Sequence, residues 1–185
     1  GMLGQMMEPV VLPESKESLP EKPWATTGHK GKRAHNIVNS LYLTADALEK
    51  LNIERFERYE VIREKEQRSE SFMLDDAEIV VVAFGASSRV ARSAVVAARE
   101  EGIKVGLLRP ITLWPFPTNA IEDVLSHAKA FLSVEMNMGQ MVDDVRLAVN
   151  GRAAVDFYGR TGGVIPTPEE VLSAIKDSAK RGGVL

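Results

Sequence analysis

Ile79-Val80-Val81-Val82-Ala83-Phe84-Gly85-Ala86-Ser87-Ser88-Arg89 is the stretch on which the fold turns. An unbroken apolar run rich in β-branched residues suits a strand buried on both faces, the habit of a parallel sheet covered by helices. The run ends at Gly85, where a glycine can turn the chain sharply. Ser87 or Ser88 is then placed to cap a helix by accepting bonds from its first free backbone N–H groups. Val90, Ala91, Ala94, Val95 and Ala98 recur on one face at helical spacing, with Arg92, Arg99 and Glu100 elsewhere, so small side chains let this helix sit close to a sheet. Gly102 stops the helix and Ile103 to Leu108 reads as the next strand, which completes one β-α-β unit.

The 185 residues are 44% hydrophobic, material for one compact core and an extended arm but scarcely for two full domains. A formal charge of −3 gives no electrostatic case for nucleic acid, and no apolar run is long enough to span a bilayer. Without cysteine the chain has no disulfide framework, no cysteine nucleophile and no thiolates for iron–sulfur ligation. No signal peptide is evident, which favours the cytoplasm. Gly1 ahead of Met2 reads as the remnant of a tag, and the sequence as a piece of something longer.

Residues 1–40 have little periodicity, and Glu14-Ser-Lys-Glu-Ser-Leu-Pro-Glu-Lys-Pro mixes charge with proline as solvated linkers do, so an extended arm is expected there. Leu3, Met6, Met7, Val10, Val11 and Leu12 are too apolar for a plain linker and suggest packing against something outside the chain. His29 to Arg33 is a basic patch, readable as a solvated turn or an anion site. The domain proper is expected over 41–185, led by a long helix from about Ala45 to Gln67. Thr44 caps it, Asp46 complements its dipole, and Leu48, Leu51, Phe56, Tyr59 and Ile62 form its apolar stripe. Glu54 with Arg58 and Glu60 with Arg63 read as a solvated face. Arg68 to Leu74 is available as an extra edge strand, and Asp75-Asp76 makes the turn into the organising strand.

Beyond the second core strand, Arg109-Pro-Ile-Thr-Leu-Trp-Pro-Phe-Pro forbids regular helix and crosses the end of the sheet in an extended path. Trp114 and Phe116 either clamp that path down or wall a ligand. A helix from about Thr118 to His127 follows, with Ile121, Val124 and Leu125 inward and His127 capping its end. The third core strand, Ala130 to Glu135, runs into Glu135-Met-Asn-Met-Gly-Gln. Ligands in open α/β sheets collect beyond the carboxyl ends of the strands, so Glu135, Asn137, Gly139 and Gln140 form the most chemically suggestive cluster. The rival reading is a turn, in which Asn137 bonds its own backbone, Gly139 takes a strained conformation and Gln140 opens a helix with Met141, Val142, Val145 and Ala148 inward. Asn150-Gly151 ends that helix and Ala153 to Tyr158 is a fourth core strand. Thr167-Pro168-Glu169-Glu170 signs the last helix with a cap, a first-position proline and a capping-box glutamate, and Val171, Leu172, Ile175 and Ala179 face the core.

The fold expected is therefore α/β, a three-layer α/β/α sandwich with a mainly parallel sheet of about five strands, the extra edge strand being the candidate for an antiparallel member. Its chemistry is sparse. Gly85-Ala-Ser-Ser-Arg-Val has only the first glycine of a dinucleotide fingerprint, and Arg89 stands where a nucleophile elbow after Ser87 needs glycine. Gly159-Arg-Thr-Gly-Gly lacks the lysine and hydroxyl of a phosphate loop. His29, His35 and His127 have no metal-ligand spacing, and no acidic pair sits in a catalytic motif.

Leu3-Gly-Gln-Met-Met-Glu-Pro-Val, Lys22-Pro-Trp-Ala-Thr-Thr-Gly, Phe84-Gly-Ala-Ser-Ser-Arg-Val-Ala, the proline-rich Arg109 to Pro117 and Glu135-Met-Asn-Met-Gly-Gln-Met together resemble the α-type subunit of 2-oxoacid:ferredoxin oxidoreductases, nearest the 2-oxoisovalerate and 2-oxoglutarate members. The resemblance implies the carboxyl-terminal part of that subunit, a domain similar to the transketolase C-terminal domain, with the first residues as the tail of a missing thiamine-pyrimidine domain. In such a complex thiamine diphosphate and its magnesium sit between that missing domain and a β-type subunit. Iron–sulfur clusters lie on other chains or domains, among them γ or ferredoxin-like subunits, and ferredoxin and coenzyme A take the electrons and the acyl group. No thiamine-binding residue of the family transfers onto a position here, and no catalytic residue is expected. The contact surface is expected at Gly85, Ser87, Ser88 and Arg89, at Trp114 and Phe116, and at Glu135 to Gln140. Two rivals stay open: a flavodoxin-like module holding phosphate or nucleotide at Ser87 and Ser88, and a thiamine enzyme of the transketolase type without ferredoxin.

Overall fold

The structure is a computed structural model and describes residues 11–15, 18–37 and 39–184. In chain order its elements are α1 (Ala45–Lys65), β1 (Ser69–Phe72), β2 (Ile79–Val82), α2 (Gly85–Glu100), β3 (Val105–Pro110), α3 (Thr118–Val124), β4 (Ala130–Glu135), α4 (Met141–Val149), β5 (Ala154–Gly159) and α5 (Pro168–Arg181). The strands form one sheet in the order β1-β3-β2-β4-β5. β2, β3, β4 and β5 are parallel, and β1 pairs antiparallel with β3 at the edge, Glu70 opposite Arg109.

The alternation of side chains along β2 explains its unbroken apolar run. Ile79 and Val81 pack with Ala91, Ala94, Val95 and Ala98 of α2 and with Val171, Ile175 and Ala179 of α5. Val80 and Val82 face the other way, toward Ile121 and Val124 of α3 and Met141, Val145 and Val149 of α4. Both faces are thus covered, and the three-layer sandwich with an antiparallel edge strand is as expected. Full burial of each such Val or Ile contributes roughly 1.5–3 kcal/mol, so these two layers carry the fold. The capping box of α5 is present: Glu170 N–H donates to Thr167 Oγ1 at 3.3 Å and Thr167 N–H to the Glu170 carboxylate at 3.0 Å.

Four expectations need correction. Ser87 and Ser88 do not cap α2, because the helix begins at Gly85 (φ +57) and places both serines in its first turn; Ser88 Oγ instead donates to the Gly85 carbonyl at 2.7 Å. α1 ends at Lys65, and its apolar stripe has no buried residue, since the helix stands outside the two layers. α3 stops at Val124, and it is the His127 backbone N–H, not its ring, that reaches a helix carbonyl, donating to Val124 at 3.1 Å; the ring's Nε2 lies 3.0 Å from the Leu74 carbonyl across the fold. Ala148 is half-buried, and Val149 takes the inward place on α4. Among the described residues before Ala45 there is no helix or strand. The apolar segment Leu3 to Val10 lies outside the described residues, while Val11 and Leu12 are exposed.

Candidate interaction and ligand surface

Strand order reverses between β2 and β4, so the crevice beyond their carboxyl ends is the place where open α/β sheets receive ligands. Glu135 closes β4 there and is 1% exposed. Its carboxylate accepts N–H bonds from Gln140 at 3.1 Å, Met141 at 2.9 Å and Val142 at 2.9 Å, the orphan donors at the start of α4. Asn137 Nδ2 donates to it at 3.1 Å and Ser133 Oγ at 3.0 Å. Asn137 Oδ1 in turn accepts from Gly139 N–H at 2.7 Å, and Gly139 holds φ +105. The cluster therefore acts as a turn and internal helix cap. The carboxylate sits where an anionic ligand would meet the helix dipole.

Burial alone would raise the Glu135 carboxyl, but the bonds from Met141, Asn137, Gln140 and Val142 outweigh it and hold the group below its ordinary value. Asp144, one turn into α4, is pushed up by burial and then by the negative charges of Asp143 and Glu135. Phe84, Leu113, Glu135, Asn137, Gln140 and Asp144 line a cavity of about 200 Å³ at this crevice.

The other expected residues do not join it. Gly85, Ser88 and Arg89 line a second cavity of about 450 Å³ with Arg92 of α2 and with Glu70 and Arg109 of the edge pair. Ser87 is buried in the first turn of α2. Trp114 is 54% exposed and meets Tyr59 of α1 edge-on, 5.5 Å between ring centres, while Phe116 is half-buried against the core and does the clamping. Sequence reasoning missed Ser133, Asp144, Glu70, Arg92 and Arg109. A lone hydroxyl in an apolar strand, two residues before a carboxylate on the same face, was the available signal for Ser133. Glu70 and Arg109 meet only through the register of β1 on β3, which the sequence alone does not state.

The donor set offers nothing to an iron–sulfur cluster and, among the described residues, nothing to a bare metal ion. The chain has no cysteine for an iron–sulfur cluster, and the described residues hold no group of three or more His, Asp or Glu side chains suited to a metal ion. No helix among the described residues is long and apolar enough to cross a membrane.

Comparison with known proteins agrees with this architecture. Residues 77–171 match the family described as pyruvate:ferredoxin oxidoreductase core domain II. Over 179 residues the chain is 47% identical to ketoisovalerate oxidoreductase subunit VorB of Methanothermobacter thermautotrophicus, an alignment covering 96% of this chain and 50% of that one. It is 41% identical over 101 residues to 2-oxoglutarate synthase subunit KorA of Methanothermobacter marburgensis, covering 55% of this chain and 27% of the relative. A solved 2-oxoglutarate:ferredoxin oxidoreductase from Magnetococcus marinus, with 2-oxoglutarate, coenzyme A and succinyl-CoA bound, shares the fold at TM-score 0.60 and 20% identity, covering 74% of this chain and 24% of that one. The chain spans about half the length of the VorB relative. With the matched family covering β2 through the first turn of α5, the chain belongs to the pyruvate:ferredoxin oxidoreductase core domain II family.

Proposed function

We propose that the chain is the non-catalytic, assembly-forming part of the α-type subunit of a 2-oxoacid:ferredoxin oxidoreductase acting on 2-oxoisovalerate in the cytoplasm. The observation that carries this reading is the 47% identity across 96% of the chain to a ketoisovalerate oxidoreductase subunit, against 41% across 55% for a 2-oxoglutarate synthase subunit. The whole enzyme would release carbon dioxide from the oxoacid, pass electrons to ferredoxin and join the acyl group to coenzyme A. Thiamine diphosphate with magnesium, and the iron–sulfur clusters, would be held by the rest of the complex: a β-type thiamine-binding subunit and γ or ferredoxin-like subunits.

The assembly role is supported by α1 and its neighbour Trp114. Phe56 is 59% exposed and Ile53 57% exposed, on a face shared with Leu48 and rimmed by Glu49, Glu57 and Glu60. An aromatic and aliphatic strip of this kind suits a partner that brings apolar side chains flanked by basic ones. The Phe56→Glu, Trp114→Ala double variant is expected to keep the domain's circular dichroism and melting temperature. Its recovery in complex with co-expressed partner subunits should fall by roughly tenfold or more, as loss of exposed aromatic anchors does. Recovery equal to the unsubstituted subunit would remove α1 and Trp114 from the assembly surface.

A further inference from the structure

The cavity lined by Glu70, Arg92 and Arg109 lies away from α1 and from the Glu135 crevice, beside the edge strand of the sheet, and it is a built cationic cleft. Arg109 of β3 donates through Nη1 to Glu70 Oε2 at 2.7 Å, and Arg92 of α2 donates through Nη1 to Glu70 Oε1 at 3.3 Å. One carboxylate thus holds two guanidiniums. The guanidinium carbon of Arg92 also lies 4.1 Å from the centre of the Phe72 ring, a cation–π contact that fixes its plane. Each guanidinium uses one N–H on Glu70 and carries further donors in a rigid fork, the geometry that matches carboxylate and phosphate oxygens, and a phosphate's second negative charge gains more from two such forks than a carboxylate does. Arg89 lines the same space, whose inner wall is apolar through Phe72 and the buried Leu107.

The charge and the volume together select a ligand class. The Arg92, Arg109 and Glu70 side chains sum to one net positive charge, so the trio favours an anion over a cation. At about 450 Å³ the cavity lies within the range of small-molecule sites and exceeds what one inorganic ion fills. The apolar wall suits an organic group beside the anion. We infer that this cleft binds a phosphorylated small organic molecule, its phosphate gripped by Arg92 and Arg109 and its organic part resting on Phe72 and Leu107. Ser88 takes no part, since its hydroxyl is committed to the Gly85 carbonyl.

Calorimetric titration of the 185-residue chain at constant ionic strength tests this with phenyl phosphate, inorganic phosphate and benzoate. Phenyl phosphate should bind saturably, with a dissociation constant of about 1 mM or below, and more tightly than inorganic phosphate; benzoate should not compete. Arg92→Gln and Arg109→Gln should each weaken phenyl phosphate at least about tenfold, while Arg55→Gln on α1 leaves it unchanged. Glu70→Gln removes the competing carboxylate and should tighten binding about threefold or more, a gain that a misfolded variant does not produce. Absence of saturable binding, equal binding of benzoate, indifference to Arg92 and Arg109, or weaker binding by Glu70→Gln would each overturn the assignment. The titration needs no partner subunit, so its failure leaves the assembly reading standing.

Discussion

Glu135→Ala is expected to lower the unfolding free energy by about 4 kcal/mol. The carboxylate accepts five hydrogen bonds, three of them from the first N–H groups of α4. Alanine leaves the Met141 and Val142 donors buried without an acceptor, and each such orphan costs about 1–3 kcal/mol. Glu135→Gln keeps the shape but turns an NH₂ toward donors, and is expected to cost about 2 kcal/mol. The pH dependence has a defined sign. Because the folded-state carboxyl is held below its ordinary value near 4.5, its contribution is complete above that value and is lost as pH falls through the lower folded-state value. Chemical denaturation from neutral pH downward should therefore show the unsubstituted protein and Glu135→Gln converging below about pH 4.5. A constant gap down to strong acid would contradict the capping role.

Gly106→Ala is expected to cost about 3 kcal/mol, for a reason that has nothing to do with glycine's freedom in φ. A Cβ at this position in β3 would drive into the Met73 carbonyl oxygen and come within 2.7 Å of Leu74 Cδ2. The neighbour cannot yield, because Arg99 fixes it. Nη2 of Arg99 donates to the Met73 carbonyl at 2.8 Å, its Nε donates to the Val105 carbonyl at 2.6 Å, and its fork closes on Asp76 at 2.7 and 3.0 Å. Gly102 provides the contrast: it has φ +84 and open space around a Cβ, so Gly102→Ala meets only backbone strain and should cost about 1 kcal/mol. Urea denaturation of both variants measures the difference, and equal losses would show that the β1 turn is free to move away from β3.

The layers were legible because their signal is local. β2 reads as a doubly buried strand from four consecutive β-branched residues, and α5 announces itself at Thr167, Pro168 and Glu170. The edge strand was legible too, as Arg68 to Leu74, although its direction depends on β3. What escaped was set by distance in sequence. Arg92 looked like a solvated helix residue, and only the packing of α2 against the β1 and β3 edge brings it to Glu70, 22 residues away. The apolar stripe of α1 was visible, but periodicity says only that a face wants cover, not that the cover lies within the same chain. At Glu135 the turn chemistry of Asn137 and Gly139 could be read directly, while the carboxylate's bonds to Gln140, Met141 and Val142 depend on how the loop folds back.

The most direct test of the proposed function is reduction of a viologen dye by the complete α-type subunit assembled with its partner subunits, thiamine diphosphate, magnesium and coenzyme A. The oxoacids supplied in turn are 2-oxoisovalerate, 2-oxoglutarate and pyruvate. Coenzyme A-dependent reduction with 2-oxoisovalerate, at a specificity constant well above the other two, is the predicted result. No reduction with any of the three, from an assembled complex shown to contain thiamine diphosphate, would contradict the oxidoreductase reading, and preference for 2-oxoglutarate or pyruvate would contradict the substrate assignment.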